Sequence, residues 1–231
     1  MKETIEIGFI DGGQVEGVFA ADLAHLTLTR RNRISGLIRV QGNLLSRARN
    51  ELVATFLEGS RSNWLFMVDT DHRLPLDAVD KMLDAAHATK APVVSALCFA
   101  AYPGSLYPMP VPAIYKDNGD GRWAAFHDYP PDQLVQIDAA GAGCLLMHRS
   151  ALEAVREARA PGMSGRWCWF ADGPADDNWV SEDLTFMRRL KAAGVSIYAH
   201  TGSVLPHVKR YVLTEQHHRD MLAAYAAGQV N

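Results

Sequence analysis

The chain has 231 residues, 48% of them hydrophobic and 21% charged, with a formal net charge of −3. This suits one folded domain with a real core and excludes a disordered chain. It also excludes a protein that grips polyanions over its whole surface, and no stretch reaches the ~18 apolar residues of a membrane helix.

The N-terminus enters a strand with no signal-peptide pattern. Residues 5–10 predict a buried strand that ends in the turn Asp11-Gly12-Gly13. Residues 15–26 predict a helix, with Val15, Phe19, Leu23 and Leu26 near one face. Arg30-Arg31-Asn32-Arg33 is a basic run, readable as a solvated loop or as a binding patch. A strand follows at 34–40 and a helix at 44–57, where Leu45, Ala48, Leu52, Val53, Phe56 and Leu57 keep helical spacing. Residues 64–68 are wholly apolar, as in a central parallel strand. Pro75 opens a helix with Leu76, Val79, Leu83 and Ala86 on its buried stripe, and 93–98 is a fourth strand. This alternation predicts a parallel sheet covered on both faces, with ligands at the carboxyl ends of its strands. Asp11 and the segment after Val68 occupy such ends.

The second half reads differently. Residues 99–131 are rich in Pro, Gly, Tyr and Asp and predict loops or a short hairpin. Strands are expected at 134–138, 143–148 and 195–200, and helices at 150–159, 181–193 and 214–227. Residues 161–180, with three of the five tryptophans, predict a long irregular loop. No repeat or linker divides the chain. The expectation is one domain, 1–231, with a nucleotide half at about 1–98 and an acceptor half at about 99–231. Cys98, Cys144 and Cys168 form no Cys-x-x-Cys pair, which points to a reducing cytoplasm.

Chemistry concentrates at Asp69-Thr70-Asp71, directly after the apolar strand. Two carboxylates at i and i+2 there are hard oxygen ligands suited to Mg²⁺ or Mn²⁺, and such an ion neutralises a nucleotide diphosphate. The bland alternative is a pair of acidic turn residues before the next helix. Glu182-Asp183 opens a helix behind Ser181, a candidate N-cap. These acids offset the helix dipole, or one of them is a general base for an acceptor hydroxyl. Gly141 and Gly143 permit close backbone approach to a sugar or mark a strand bulge. Arg49 contacts a phosphate or base, or caps its helix; Trp167, Trp169 and Phe170 stack on a ligand or belong to the core.

Four blocks in order resemble the GT-A glycosyltransferases, especially the family 2-like group. They are Arg47-Ala48-Arg49-Asn50, the strand and Asp-x-Asp of 63–72, the glycine-bearing strand 138–149, and Ser181-Glu182-Asp183-Leu184 with a late His207. The resemblance runs from about residue 43 to 209 and leaves 159–180 unaligned. It implies a GT-A fold: an α/β domain with a Rossmann-like nucleotide half, a mixed central sheet and an acceptor half. It implies that Asp71 binds the metal and that Asp69 contacts metal or ribose, with Thr70 between them. His207 would be the third protein ligand, Lys209 would lie near the diphosphate, and Asp183, ahead of Glu182, would be the base. The donor implied is a UDP-sugar in a crevice of Ile10, Asp11, Arg49 and Asp69, used with Mn²⁺ or Mg²⁺.

The acceptor implied is a hydroxyl on a saccharide, a protein or a modified DNA base, as in phage and bacterial enzymes of this kind. For DNA stand Arg30, Arg31, Arg33, Arg39 and the run Arg166-Trp167-Cys168-Trp169-Phe170; against it stand the net charge and the acidic run 172–177. The competing readings are nucleotidyl transfer, for which Asp11-Gly12-Gly13 lacks a basic residue, and a binding module without turnover.

Overall fold

The computed structural model describes residues 4–42, 44–102, 109–119, 122–158, 165–175 and 178–228. Outside them lie residues 1–3, Asn43, Arg159 at the end of one predicted helix, parts of the two predicted loops, and Asp176 and Asp177 of the acidic run.

The first half follows the predicted alternation: β1 (Ile5–Asp11), α1 (Gly17–Thr29), β2 (Ile34–Gln41), α2 (Leu45–Gly59), β3 (Trp64–Asp69), α3 (Leu76–Ala85) and β4 (Val93–Leu97). The second half begins with short strands: β5 (Phe99–Tyr102), β6 (Met109–Pro112), β7 (Ile114–Asp117), β8 (Trp123–Ala125), β9 (Leu134–Ile137) and β10 (Ala139–Ala140). It continues with β11 (Cys144–His148), α4 (Arg149–Ala158), β12 (Gly173–Ala175), β13 (Asn178–Val180), α5 (Glu182–Ala192), β14 (Ile197–Val204) and α6 (Glu215–Ala226).

Seven strands form the central sheet in the order β2-β1-β3-β11-β4-β14-β9. β1 is parallel to β2 and β3, and β14 is parallel to β4. β11 runs antiparallel between β3 and β4, and β9 is an antiparallel edge. The four strands of the first hundred residues are thus parallel to one another, as read, and the sheet as a whole is mixed, as the resemblance implies. The physical reason is that β3 and β4 are buried on both faces, and the apolar β11 from the second half fills the gap between them.

Alternation along β3 divides the core. Leu65 and Met67 face a cluster with Leu52 and Phe56 of α2, Leu152 of α4 and Phe186 of α5. Trp64, Phe66 and Val68 face the other cluster, with Phe19 and Leu26 of α1 and Val79 and Met82 of α3.

One correction concerns 161–180. Its described part is not irregular throughout: it holds a 3₁₀ turn at Gly165–Trp167 and the β12–β13 hairpin. Trp169 and Phe170 are core residues at 1% exposure, and Trp169 Nε1 donates to the Leu152 carbonyl at 2.8 Å. Burial thus rules out ligand stacking for both and leaves Trp167 exposed. The predicted hairpin after Phe99 is present as β5–β6. Among the described residues no helix is long and apolar enough to cross a membrane.

Candidate active site

The site forms where the turn after β3 meets the segment after β14. Leu205 is fully buried and its N–H bonds the Leu97 carbonyl at 3.0 Å, which fixes the approach of the chain to the turn. Arg73 N–H then donates to Pro206 O at 2.8 Å and Val208 N–H to Asp71 O at 2.7 Å. From the other side, Asp22 of α1 accepts from Leu74 N–H at 2.9 Å and from the Arg73 guanidinium at 2.6 and 3.2 Å. The backbone is thus pinned on both flanks of Asp71.

Asp71 Oδ2 lies 2.8 Å from His207 Nε2 and 2.9 Å from Lys209 Nζ. His207 Nδ1 lies 2.9 Å from the Phe99 carbonyl, which can only accept, so Nδ1 carries the hydrogen. In the neutral ring Nε2 then presents a lone pair to a carboxylate. Two acceptors at this distance need a proton or a metal cation to join them. His72 stacks on His207 with centroids 4.2 Å apart, and Asp71, His72 and His207 offer ligand atoms all within 4.8 Å of one another. Burial pushes the Asp71 pKa up, but the neighbouring His207, His72 and Lys209 side chains outweigh it and hold the carboxyl far below its usual range. Burial opposes charge on His72, but Asp71 and Cys98 outweigh it and raise the pKa to about 9.

A second group joins α2 to α5. Arg49, 3% exposed, donates to both oxygens of Asp69 at 3.1 and 3.0 Å and to Glu182 Oε1. It caps no helix; it lies inside the protein between two carboxylates. Burial raises the Glu182 pKa, against the pull of Arg49. Ser181 holds the N-cap position, but its hydroxyl donates to Asp183 and makes no cap bond. The Asp183 carboxylate also accepts from Leu184 N–H at 2.7 Å.

A cleft of ≈ 370 Å³ is lined among others by Arg49, Asp69, His72, Gly141, Asp183 and His207; Asp71 and Lys209 are not among its lining residues and reach it through His207. A side chain at Gly141 would meet Ala113 and Asp183 at 3.5 and 3.7 Å. One at Gly143 would come within 3.0 Å of the His72 ring and 3.3 Å of Asp69 Oδ2. The close approach at Gly143 is therefore made by protein side chains.

The structure brings together Asp69, Asp71, Glu182, Asp183, His207, Lys209, Arg49 and both glycines. Asp69 commits both oxygens to Arg49, while Asp71 groups with the histidines. Ile10 and Asp11 do not line this cleft. Asp11 accepts from Gly13 N–H at 2.7 Å and from Arg39 at 2.8 and 2.5 Å; hydrogen bonding to Arg39 lowers its pKa most. Thr70 offers its carbonyl to Glu16 N–H at 3.2 Å. Sequence reasoning missed His72 and Cys98. His72 had a signal, being the next residue after the acidic pair; Cys98 had none.

No protein-family model matches the sequence, and no curated protein matches it. The architecture defines a class by shape: a mixed α/β domain of GT-A-like fold. Among solved structures, it is similar to "GalNAc-T7 with UDP, GalNAc and Mn2+" at TM-score 0.60 and 9% identity, over 97% of this chain and 48% of that one. It is also similar to A197 from STIV at TM-score 0.51 and 14% identity, over 93% of this chain and 99% of that one. The inositol-1-phosphate CTP transferase from T. maritima has TM-score 0.48 and 10% identity, over 96% of each chain. At these identities the likeness is one of fold.

Proposed function

We propose that the chain is a metal-dependent glycosyltransferase that moves a sugar from a nucleoside diphosphate sugar to an acceptor hydroxyl. The observation that carries this reading is the apposition of the Asp71 carboxylate and His207 Nε2 at 2.8 Å, beside the cleft. Around them four carboxylates, Asp69, Asp71, Glu182 and Asp183, face two permanent cations, Arg49 and Lys209. A carboxylate and an imidazole suit Mn²⁺ better than Mg²⁺.

Asp71 and His207 would hold that ion, which when bound stabilises a departing diphosphate. Arg49 would keep Asp69 turned toward the donor, and Lys209 would add positive charge at the diphosphate. Asp183, which also lines the cleft, would take the acceptor hydroxyl's proton as the acceptor oxygen bonds to the anomeric carbon and the bond to the diphosphate breaks. Glu182, held by Arg49, is the less available carboxylate. The donor is read as a UDP-sugar; the UDP in the GalNAc-T7 structure supports this by fold likeness.

For the acceptor, a saccharide or protein hydroxyl is favoured over a DNA base. Arg30 pairs with Asp80, Arg33 with Asp84, Arg39 with Asp11, and Arg166 with Glu58 and Glu51. Cations so engaged are poorly placed to take up phosphates. All three cysteines are free and buried, which suits the reducing compartment expected from the sequence.

The test is release of free nucleoside diphosphate from a panel of donor sugars, with Mn²⁺ and with excess chelator. The reading requires Mn²⁺-dependent release, greatest for a UDP-sugar. Full turnover in chelator would overturn the metal assignment, and metal-linked binding without any release would reduce the chain to a binding module.

A further inference from the structure

Beneath the cleft lies a group of side chains that the transferase reading does not use. β3, β11 and β4 are neighbours in the sheet, and β11 runs opposite to the other two. The carboxyl ends of β3 and β4 and the amino end of β11 therefore share one end of the sheet. That end carries His72 just after β3, Cys98 just after β4 and Cys144 as the first residue of β11. Their ligand atoms all lie within 4.8 Å of one another, and the residues are 2%, 4% and 0% exposed.

His72 supplies a second observation. Its Nδ1 comes within 3.1 Å of Asp71 Oδ1, but off the line a hydrogen bond needs, and among the described residues neither ring nitrogen has a hydrogen-bond partner. Leaving a buried polar group unsatisfied is costly, so the free nitrogens point to a ligand. Nδ1 faces the carboxylate, so Nε2 is the nitrogen left for the thiols.

We propose that His72, Cys98 and Cys144 form a soft-metal site, for Zn²⁺ or a cation of similar softness, distinct from the hard-cation site at Asp71 and His207. Two thiolates and an imidazole select such ions, whereas oxygen donors suit Mn²⁺ and Mg²⁺. Tetrahedral zinc holds N and S ligands roughly 3.3–3.8 Å apart, so the cluster closes on an ion with a contraction on the order of 1 Å. His72 and Cys98 line the cleft while Cys144 does not, so the fourth coordination position faces the cleft. On binding, each protonated thiol releases its proton to solvent and the sulfur forms a bond to the metal.

The experiment is a titration of the reduced, metal-free full chain with Cd²⁺ and Co²⁺, read by thiolate-to-metal charge-transfer absorption. The expected result is a band that saturates at a single equivalent and that Mn²⁺ does not produce. Cys98→Ala and Cys144→Ala should each weaken Cd²⁺ binding at least ~100-fold, whereas Cys168→Ala and His207→Ala keep the band. A parent protein without the band, or a band that survives in Cys98→Ala and Cys144→Ala alike, overturns the site. If a variant does not fold, thiol alkylation in the parent decides. Cd²⁺ must then protect Cys98 and Cys144 but not Cys168, and equal alkylation with and without Cd²⁺ overturns the site. None of these readouts involves sugar transfer, so their failure leaves the transferase reading standing.

Discussion

The two ends of β3 solve the same problem in opposite ways. At its amino end, Arg149 N–H donates to the Asn63 carbonyl at 2.7 Å. The Arg149 guanidinium reaches the carbonyls of Leu57 at 2.9 Å, Ser60 at 2.7 Å and Ser62 at 3.0 Å and lies over the Phe56 ring. Every one of those contacts joins a donor to an acceptor. At its carboxyl end, the Asp71 carboxylate and His207 Nε2 need a proton or a cation to join them, carboxylates outnumber the permanent cations, and among the described residues both nitrogens of buried His72 lack hydrogen-bond partners. Polar groups are dense at both ends. What separates scaffold from site is whether the protein alone satisfies them.

The comparison breaks most sharply through Asp183. Asp183→Asn should cut sugar transfer by ~10²–10⁴-fold while Mn²⁺-linked nucleotide binding persists, because the base acts on the acceptor. Near-normal turnover in that variant would make Asp183 a helix-dipole partner only. Arg49→Met is the next test, since the Arg49 guanidinium is a permanent cation held inside the protein between Glu182 and Asp69. Stranding Glu182 and Asp69 should cost about 3–5 kcal/mol in denaturant unfolding. A cost below ~1 kcal/mol would show that those carboxylates find water or protons instead.

Asp71→Asn should weaken Mn²⁺-dependent nucleotide binding at least ~100-fold, about 2.7 kcal/mol. Unfolding of the metal-free protein should move by less than ~1 kcal/mol. Added Mn²⁺ should raise the Tm of the parent and not of this variant. Arg149→Met should do the reverse: a loss of about 1.5–3 kcal/mol in stability with nucleotide affinity unchanged. If Arg149→Met instead changed affinity, the two ends of β3 would not be separable.

The smallest effect belongs to Asp22, which clamps the turn from outside. Its carboxyl pKa is lowered below 3.8, first through Arg73. The pair is partly exposed, so Asp22→Asn should cost less than ~1 kcal/mol. A depressed folded pKa gives stability that is present above the unfolded value and is lost as pH falls through the folded value. The difference between parent and Asp22→Asn should therefore be full at neutral pH and shrink as the pH falls below 3.8. A constant difference down into that acid range would show that the loss is one of packing.

Much of this was legible before the structure. Local spacing located all four strands of the first half, and the apolar run ending at Asp69 marked the crevice. The mixed sheet was not legible in that half, because β11 is set by a partner choice across distant residues and no local pattern encodes it. The role of Arg49 was hidden for a related reason: its partners Asp69 and Glu182 lie far apart in the chain. Trp169 and Phe170 sit in a segment too irregular for a periodic signal, so their burial had to be seen. Cys98 and Cys144 read as two unrelated thiols until the order of the strands made them neighbours.

The position of β11 also bears on how the chain is made. Leu146 stands between Phe66 and Val94, so the centre of the sheet stays open until the ribosome has released residues well past 148. Until then β3 and β4 carry unpaired inner edges, the kind of surface on which nascent chains aggregate. Pairings this distant in sequence also slow folding. A fragment ending near Cys98 would hold every residue of the β1–β3 unit and still lack the strand that closes it.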